Sequence, residues 1–597
     1  MSLLDSLING ISLGSIYAII ALGYTMVYGI AKMLNFAHGD VIMVGAYVCF
    51  FAATRFGINP LLSVLIAMVV CTLLGITIEK LAYAPLRSAP SLAVLITAIG
   101  VSYFLQNLAL LLWSPNPKVF PDFFKKIADD GSEITGINLF GGSLRISYVT
   151  LVTISFLSGE WNDMMDEIET KLQFRFGRKK YNISEIINLS NTSHNAKKRK
   201  KALDELNSVL ASSGYANLRA RALNLVMGEK NLMDKERGFK SPMEARNISN
   251  NLDAKTVDAL HTAVAKYGAE QGKRYYNILR KLLHKKILHW SDRNAPLPFE
   301  SKTYYSWDKC VDTVMNAYQN FSPTLADLIK DSFKNHRIDA PVYKGKTSGA
   351  YNYTVVAKGG KVYTWTFLNY LGTTRDVMTL AHELGHSVHG QLAGKKQGTL
   401  QAQAPMAYAE TASIFGEMLT FEYMLNQITD KKEKLALLLS KANDWINSVN
   451  RQISFSFFEQ IIHEKRKLGK LTDSDFNDAW MKVSKDMYGR DGEVFTYDNM
   501  ENLWSYVGHF MRPFYVYAYS FGELFTQSLF AVKSKNPKKF EKLYIEMLES
   551  GSSKNAVELM KPFGLNPTNS SFWKQGIDIS IKKWLDEAEI LIKELKL

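Results

Sequence analysis

The sequence predicts a mostly α-helical protein in two unlike parts: N-terminal transmembrane helices, then a large helical domain with a small β-hairpin. Three observations carry that prediction. Charge-free windows run from Asp5 to Lys32, from Arg55 to Glu79 and from Arg87 to Lys118, each longer than the roughly 20 residues needed to cross a bilayer as a helix. From Glu160 to the C-terminus no uncharged window reaches 18 residues, and apolar positions recur at helical spacing instead. One stretch, KTSGAYNYTVVAKGGKVYTWTFLNY, alternates about Gly359 and Gly360 as a hairpin does.

Along the chain, the start MSLLDSLINGISLGSIYAIIALGY lacks a basic leader and is followed by further apolar windows, so it reads as a span and not as a signal peptide. Gly10, Gly14 and Gly23 suit close helix contact in lipid. Val41 to Thr54 makes a shorter uncharged stretch. His38, in NFAHGD, reads as an interfacial structural residue. The run Ile146 to Gly159 is too short for a further span, and GEWNDMMDEIE then opens an acidic amphipathic stretch. The expected divisions are 1–155 for the membrane-like segment, 156–225 for a helical lead-in, and 226–597 for the main domain.

The formal net charge of +14 is unevenly spread. Residues 1–155 hold 8 basic against 7 acidic residues, leaving 63 against 50 for the remainder. The densest basic run, Lys197 to Lys201, lies among Leu203, Leu206 and Leu210 and reads as a solvated helix face, so no nucleic-acid partner is expected. Cys49, Cys71 and Cys310 are too scattered for a disulfide framework or a thiolate metal site, which points to a reducing compartment.

The chemistry centres on TTRDVMTLAHELGHSVHG. Thr373 and Asp376 form a capping box, and Val377, Leu380, Ala381, Leu384 and Val388 give the helix that follows an apolar face. His382 and His386, four residues apart, share a face and are able to bind one ion, while Glu383 can reach a water on that ion. His389 lies a turn too far and is expected not to bind. Downstream, AETASIFGE holds Glu410 and Glu417 about two turns apart. Glu410 would complete a two-His, one-Glu site with an open position, and Glu417 would orient a ligand imidazole.

Two resemblances sharpen these readings. RGFKSPMEARNISNNLD, HWSDRNAPLP, FLNYLGTTRDVMTLAHELGHSVHG, AETASIFGE and GHFMRPFYVYAYSFGELF resemble oligoendopeptidase F, of the thimet oligopeptidase family of zinc metallopeptidases, over nearly the whole chain from about Ser155 onward. That resemblance implies a helical bowl with a deep channel, cleavage of short peptides, and one zinc ion per chain. It also implies that His382, His386 and Glu410 are ligands and Glu383 the general base and acid. Residues Leu7 to Tyr47, EKLAYAPLRSAP and LITAIGVSYFLQN resemble the membrane permease of branched-chain amino acid ABC importers, over about the first quarter of the chain.

A peptidase site needs donors for the developing oxyanion, and the late block offers His509, Tyr515, Tyr517 and Tyr519. His509 and Tyr519 are favoured for catalysis, with Tyr517 next. Tyr515 is assigned with Gly349 and Ala350 to substrate binding, the hairpin edge pairing with extended peptide backbone. The expected function is zinc-dependent endopeptidase action on oligopeptides; the alternatives are a truncated importer permease and a membrane-tethered peptidase. The abrupt change near Ser155 is that of a fusion between two unrelated segments. The expected partners are short peptides, a membrane through 1–155, and ABC importer subunits only if the permease segment works. The catalytic part is expected on the cytoplasmic side, in a membrane-associated chain.

Overall fold

A computed structural model describes residues 38–86, 91–113, 126–127, 133–134, 136–139, 144–147, 165, 167–299 and 303–597. The first apolar window, Asp5 to Lys32, and most of the expected junction near Ser155 lie outside the described residues. The chain divides into two compact units, Met1–Asp163 and Met164–Leu597.

In the first unit, α1 (His38–Thr54), α2 (Pro60–Ile78) and α3 (Ser91–Trp113) are apolar helices. Gly45 lets α1 approach α2, since a Cβ there would stand 2.7 Å from Cys71 Sγ. The buried Asp40 carboxylate accepts hydrogen bonds from Ser102 Oγ (2.5 Å) and Gln106 Nε2 (3.1 Å), which satisfies a charged group among apolar helices. Leu62, Leu65, Met68, Val69, Leu73 and Ile76 are all exposed, so α2 presents an unburied apolar stripe. Among the described residues one helix, Leu62–Tyr83, is long and apolar enough to cross a membrane, by length and composition.

The second unit is mostly helical, as the periodicity predicts. Its early helix α4 (Ala196–Ser212) carries the basic run and buries Leu203, Leu206 and Leu210. One expectation for α4 is corrected. Arg199 is not on a solvated face; it is 2% exposed and pairs with Asp292 at 2.6 Å. Its position, one turn before Leu203, places it on the apolar stripe, where only a carboxylate partner makes burial tolerable. The expected division at 225/226 falls inside a helix. A single helix, Tyr215–Glu236, runs through it, burying Ala222, Leu223, Val226 and Met227 without interruption.

Further on come α5 (Ala269–Leu282) and α6 (Trp307–Phe321). They precede a three-stranded sheet of β1 (Ile338–Asp339), β2 (Tyr351–Val356) and β3 (Val362–Phe367), ordered β1-β3-β2. β2 and β3 form the hairpin, in register Val362 with Val356 through Phe367 with Tyr351. Its turn holds Gly359 (φ 80°) and Gly360 (φ 74°), backbone conformations that side chains disfavour. β2 is the sheet's edge.

The sheet rests on α7 (Thr374–Gln397), which crosses α8 (Thr411–Gln427). Behind them lie α9 (Lys431–Trp445), α10 (Arg451–Leu468), α11 (Asp473–Tyr488) and α12 (Tyr517–Phe530). Close approach of α7 and α8 depends on Gly385. A Cβ there would stand 2.4 Å from the Ala412 carbonyl oxygen and 2.5 Å from Ser413 Cα.

Candidate active site

Thr373 caps α7 as the sequence predicts. Its side chain accepts from the Asp376 amide, and Asp376 accepts in return from the Thr373 amide at 2.9 Å. Val377, Leu380, Ala381, Leu384 and Val388 are all buried, which fixes the helix's rotation and turns His382 and His386 to one side. Their rings lie edge to face, 4.9 Å apart.

Glu410 does not sit inside a helix. It occupies the joint between the short helix Met406–Ala409 and α8, with φ −79° and ψ 0°. From there its Oε2 lies 3.2 Å from His382 Nε2 and 3.1 Å from His386 Nε2. All three donor atoms fall within 4.8 Å of one another. Bonds of about 2.0–2.1 Å to a tetrahedral ion would place its ligand atoms roughly 3.3 Å apart. Two imidazole nitrogens and a carboxylate oxygen at this spacing suit a metal ion of zinc's size.

Electrostatics agree. Burial would lower the His382 pKa, but hydrogen bonds to Glu410 and Glu417 push it up to about 10. Burial likewise opposes ionisation of Glu410, yet the two histidines hold its carboxyl well below the usual range. The pocket favours positive charge, whether on an imidazole or on a cation.

Glu417 accepts from His382 Nδ1 at 2.7 Å on the face of the ring opposite Glu410. Its other oxygen accepts from Lys441 Nζ of α9, also at 2.7 Å. Burial raises and Lys441 lowers the Glu417 pKa, for a result of about 2. Lys441 was not singled out from sequence. Its one signal is its spacing from Leu437, Leu438, Ala442 and Trp445, which puts a lysine on the buried stripe of α9.

Glu383 is 5% exposed, and its Oε2 has no hydrogen-bond partner. Burial raises its pKa, and the two histidines only partly offset this. His389, buried against the Ala409 backbone with its pKa lowered by burial to about 4, is not brought into the donor set.

The late block is divided by the structure. His509 Nε2 lies 3.4 Å from the Tyr519 hydroxyl, and the Tyr515 ring contacts both at 5.9 and 5.5 Å. Tyr519 is 40% exposed. Burial and then Tyr515 push its pKa up to about 12, and Glu410 contributes in the same direction, which places this hydroxyl in the field of the donor cluster. One turn along α12, a Cβ on Gly522 would stand 3.4 Å from Glu410 Cβ. Tyr517 is elsewhere. It is fully buried, its hydroxyl donating to Asn247 Oδ1 (2.8 Å) and accepting from Asn250 Nδ2 (2.9 Å). Gly349 (φ 97°) and Ala350 lead directly into the edge strand β2, and the Gly349 carbonyl accepts from Asn369 at 3.1 Å.

The segment between His509 and Tyr519 is held by a buried acid. Phe514 has φ 56°, unusual for a residue with a Cβ, and its amide donates to Glu459 Oε1 at 2.8 Å. Burial pushes the Glu459 pKa up to about 8, against the amide bond and the nearby Arg246 and Lys230. In the unfolded chain this carboxyl titrates near about 4.3. Folding therefore gains from the proton it keeps below that pH, and loses that gain as pH rises through about 8. Wild-type Tm should fall more steeply between pH 6 and 9 than that of Glu459→Gln; parallel curves by differential scanning calorimetry would contradict this.

A family model described as peptidase family M3 matches residues 189–579. The chain belongs to that family. Oligopeptidase PepF of Bacillus subtilis (strain 168) is 28% identical over 406 residues, covering 68% of this chain and 59% of the relative. The chain thus spans about three fifths of the length of the curated peptidase relatives it matches. The crystal structure of oligoendopeptidase-F from Enterococcus faecium superposes with a TM-score of 0.55 at 22% identity, covering 74% of each chain, which shows a shared fold. Residues 6–157 match a different model, the branched-chain amino acid transport system / permease component. There the chain is 40% identical over 164 residues to the permease protein BraD of Pseudomonas aeruginosa, covering 26% of this chain and 52% of the relative.

Proposed function

We propose that residues 164–597 form a zinc-dependent endopeptidase of short peptides, with one ion per chain held by His382, His386 and Glu410. The observation that carries this reading is the convergence of His382 Nε2, His386 Nε2 and Glu410 Oε2 beside the buried, unpartnered Glu383 Oε2. When bound, the ion supplies Lewis acidity, acidifying a water and polarising the scissile carbonyl. Glu383, with its pKa raised by burial, would serve as the base toward an attacking water and return that proton to the leaving amine. Tyr519 and His509 donate hydrogen bonds to the developing oxyanion, the exposed Tyr519 hydroxyl lying in the field of Glu410. The edge strand β2, entered through Gly349 and Ala350, pairs with the backbone of an extended peptide, and Tyr515 packs against that peptide beside His509.

Cleavage of an internally quenched peptide should be lost to a chelator, return with zinc, and be absent in His386→Ala. Equal cleavage with the chelator present would overturn the reading. Lys441 fixes the second oxygen of Glu417, so Lys441→Met should weaken zinc binding about tenfold. Competition against a chromogenic chelator checks this, an unchanged affinity being the contrary result.

A second reading concerns the first unit. The exposed stripe of α2 supports a membrane anchor that tethers the peptidase to the cytoplasmic face. Recovery of the chain in carbonate-washed membranes would support it, and full release into the wash would refute it. Importer subunits are partners only if this permease-like quarter retains its own function.

A further inference from the structure

Within the second unit, away from the donor cluster, lies positive charge that no acid balances. Arg293 follows the short turn Trp290–Asp292 and is 7% exposed. Its Nη1 donates to Asn447 Oδ1 at 2.8 Å, and its guanidinium lies over the Trp290 ring at 5.3 Å. Arg451, the first residue of α10, donates from Nη2 to the Tyr506 hydroxyl at 3.1 Å. Among the described residues neither guanidinium has a carboxylate partner, whereas the buried Arg199 is matched by Asp292. Asn447, which accepts from Arg293, lies one turn before Arg451. Burial, and then the charge of Arg451, push the Arg293 pKa below its ordinary value. Buried charge without a counter-charge is costly, and two such groups together more so.

A second observation comes from hydroxyl groups. Tyr276, fully buried on α5, has a hydroxyl with no hydrogen-bond partner. The hydroxyl of Tyr488, 2% exposed at the end of α11, is also without one. Ser454 stands near Tyr488, but its hydroxyl is committed to the Arg451 carbonyl at 2.7 Å and makes no bond of good geometry with the phenol. The two tyrosine rings meet edge to face at 5.9 Å, and Trp290 touches Tyr488 at 5.2 Å, closing the group back onto Arg293. Both phenols lie in the field of both arginines.

Hydroxyl donors with nothing to donate to stand beside cations with no anion, and one absent partner would satisfy both. We infer that Arg293, Arg451, Tyr276 and Tyr488 form a buried binding site for a small monovalent anion such as a halide. A water would accept from the phenols but leave the charge unbalanced, and a metal cation would find only donors and like charge. The anion is inorganic and not a peptide carboxylate, because three of the four groups are at most 7% exposed and admit no chain. The inference stands apart from the peptidase reading, since none of these residues belongs to the donor set.

The test compares Tm of the purified full-length protein in sodium chloride and in sodium gluconate at equal ionic strength, for wild type and Tyr276→Phe. Wild-type Tm should rise with chloride concentration, as for any ligand of the folded state. Tyr276→Phe, having lost one donor to a charged acceptor, should need about tenfold more chloride for the same rise. Crystals grown in sodium bromide should show an anomalous peak among the four side chains. That peak decides the matter in wild type even if the variant fails to fold. Equal Tm in both salts together with no bromide peak would overturn the inference. So would stabilisation by short peptides with free C-termini, but not by their amides or by chloride.

Discussion

Replacing Glu383 by Gln should lower kcat by about 1,000-fold while zinc stoichiometry stays at one per chain. The expectation rests on separating two roles that lie one residue apart. His382 and His386 point at Glu410, whereas Glu383 Oε2 is buried and unpartnered, outside that trio of contacts. An amide keeps the shape and polarity of the carboxylate but cannot take a proton, so the loss measures general base and acid action, which typically contributes 10²–10⁴-fold. Metal analysis and kcat on the same preparation distinguish the roles. Loss of zinc in Glu383→Gln would show that Glu383 holds the site together; full activity would place the base elsewhere.

Gly385→Ala should be nearly as damaging, through geometry alone. In a helix interior the exchange would ordinarily gain about 1 kcal/mol. Here the new methyl would meet the Ala412 carbonyl oxygen at 2.4 Å and Ser413 Cα at 2.5 Å, both backbone atoms that cannot rotate away. Overpacking of this kind typically costs 1–3 kcal/mol, so the clash exceeds the propensity gain and α7 and α8 must separate. That separation pulls His382 and His386 from Glu410, and an error of about 1 Å in such a constellation can cost about 100-fold in rate. Urea denaturation and zinc affinity should both suffer. Gly394→Ala, whose methyl would meet only the valine methyls of Val362 and Val356 at 2.9–3.0 Å, should do less harm, and equal effects would refute the argument.

What the sequence disclosed follows from how local each signal is. The rotation of α7 and its capping box are written within 16 residues, so the cap at Thr373 and the buried face from Val377 to Val388 are legible in the sequence. The β2–β3 hairpin was legible because two adjacent glycines mark a turn that requires positive φ. β1 was not, since two residues pairing in parallel with β3 across a gap in sequence leave no pattern. Buried basic residues were not legible. Arg199 lies within a basic run and Lys441 within a leucine-rich one, and in each case only a carboxylate brought from a distant segment accounts for the burial. Tyr519 is favoured over Tyr517, two residues before it; the helix start sends Tyr517 into the asparagine pair and Tyr519 to the surface beside His509. The joint at Glu410 was hidden too, because AETASIFGE reads as continuous helix while the backbone breaks at its second residue.

That joint bears on how the site fills and empties. The two histidines stand on one continuous rod and keep their separation whatever occupies the space between them. Glu410 stands on a corner between two helices and is tethered there by Ser413 Oγ, which donates to its carboxylate at 2.8 Å. Its side chain is held there by that hydroxyl and by the two imidazoles, and moving it requires no turn of helix to unwind. For an ion bound as proposed, the histidines would be the fixed post and Glu410 the leaf of a gate, the one ligand able to move without disturbing a helix.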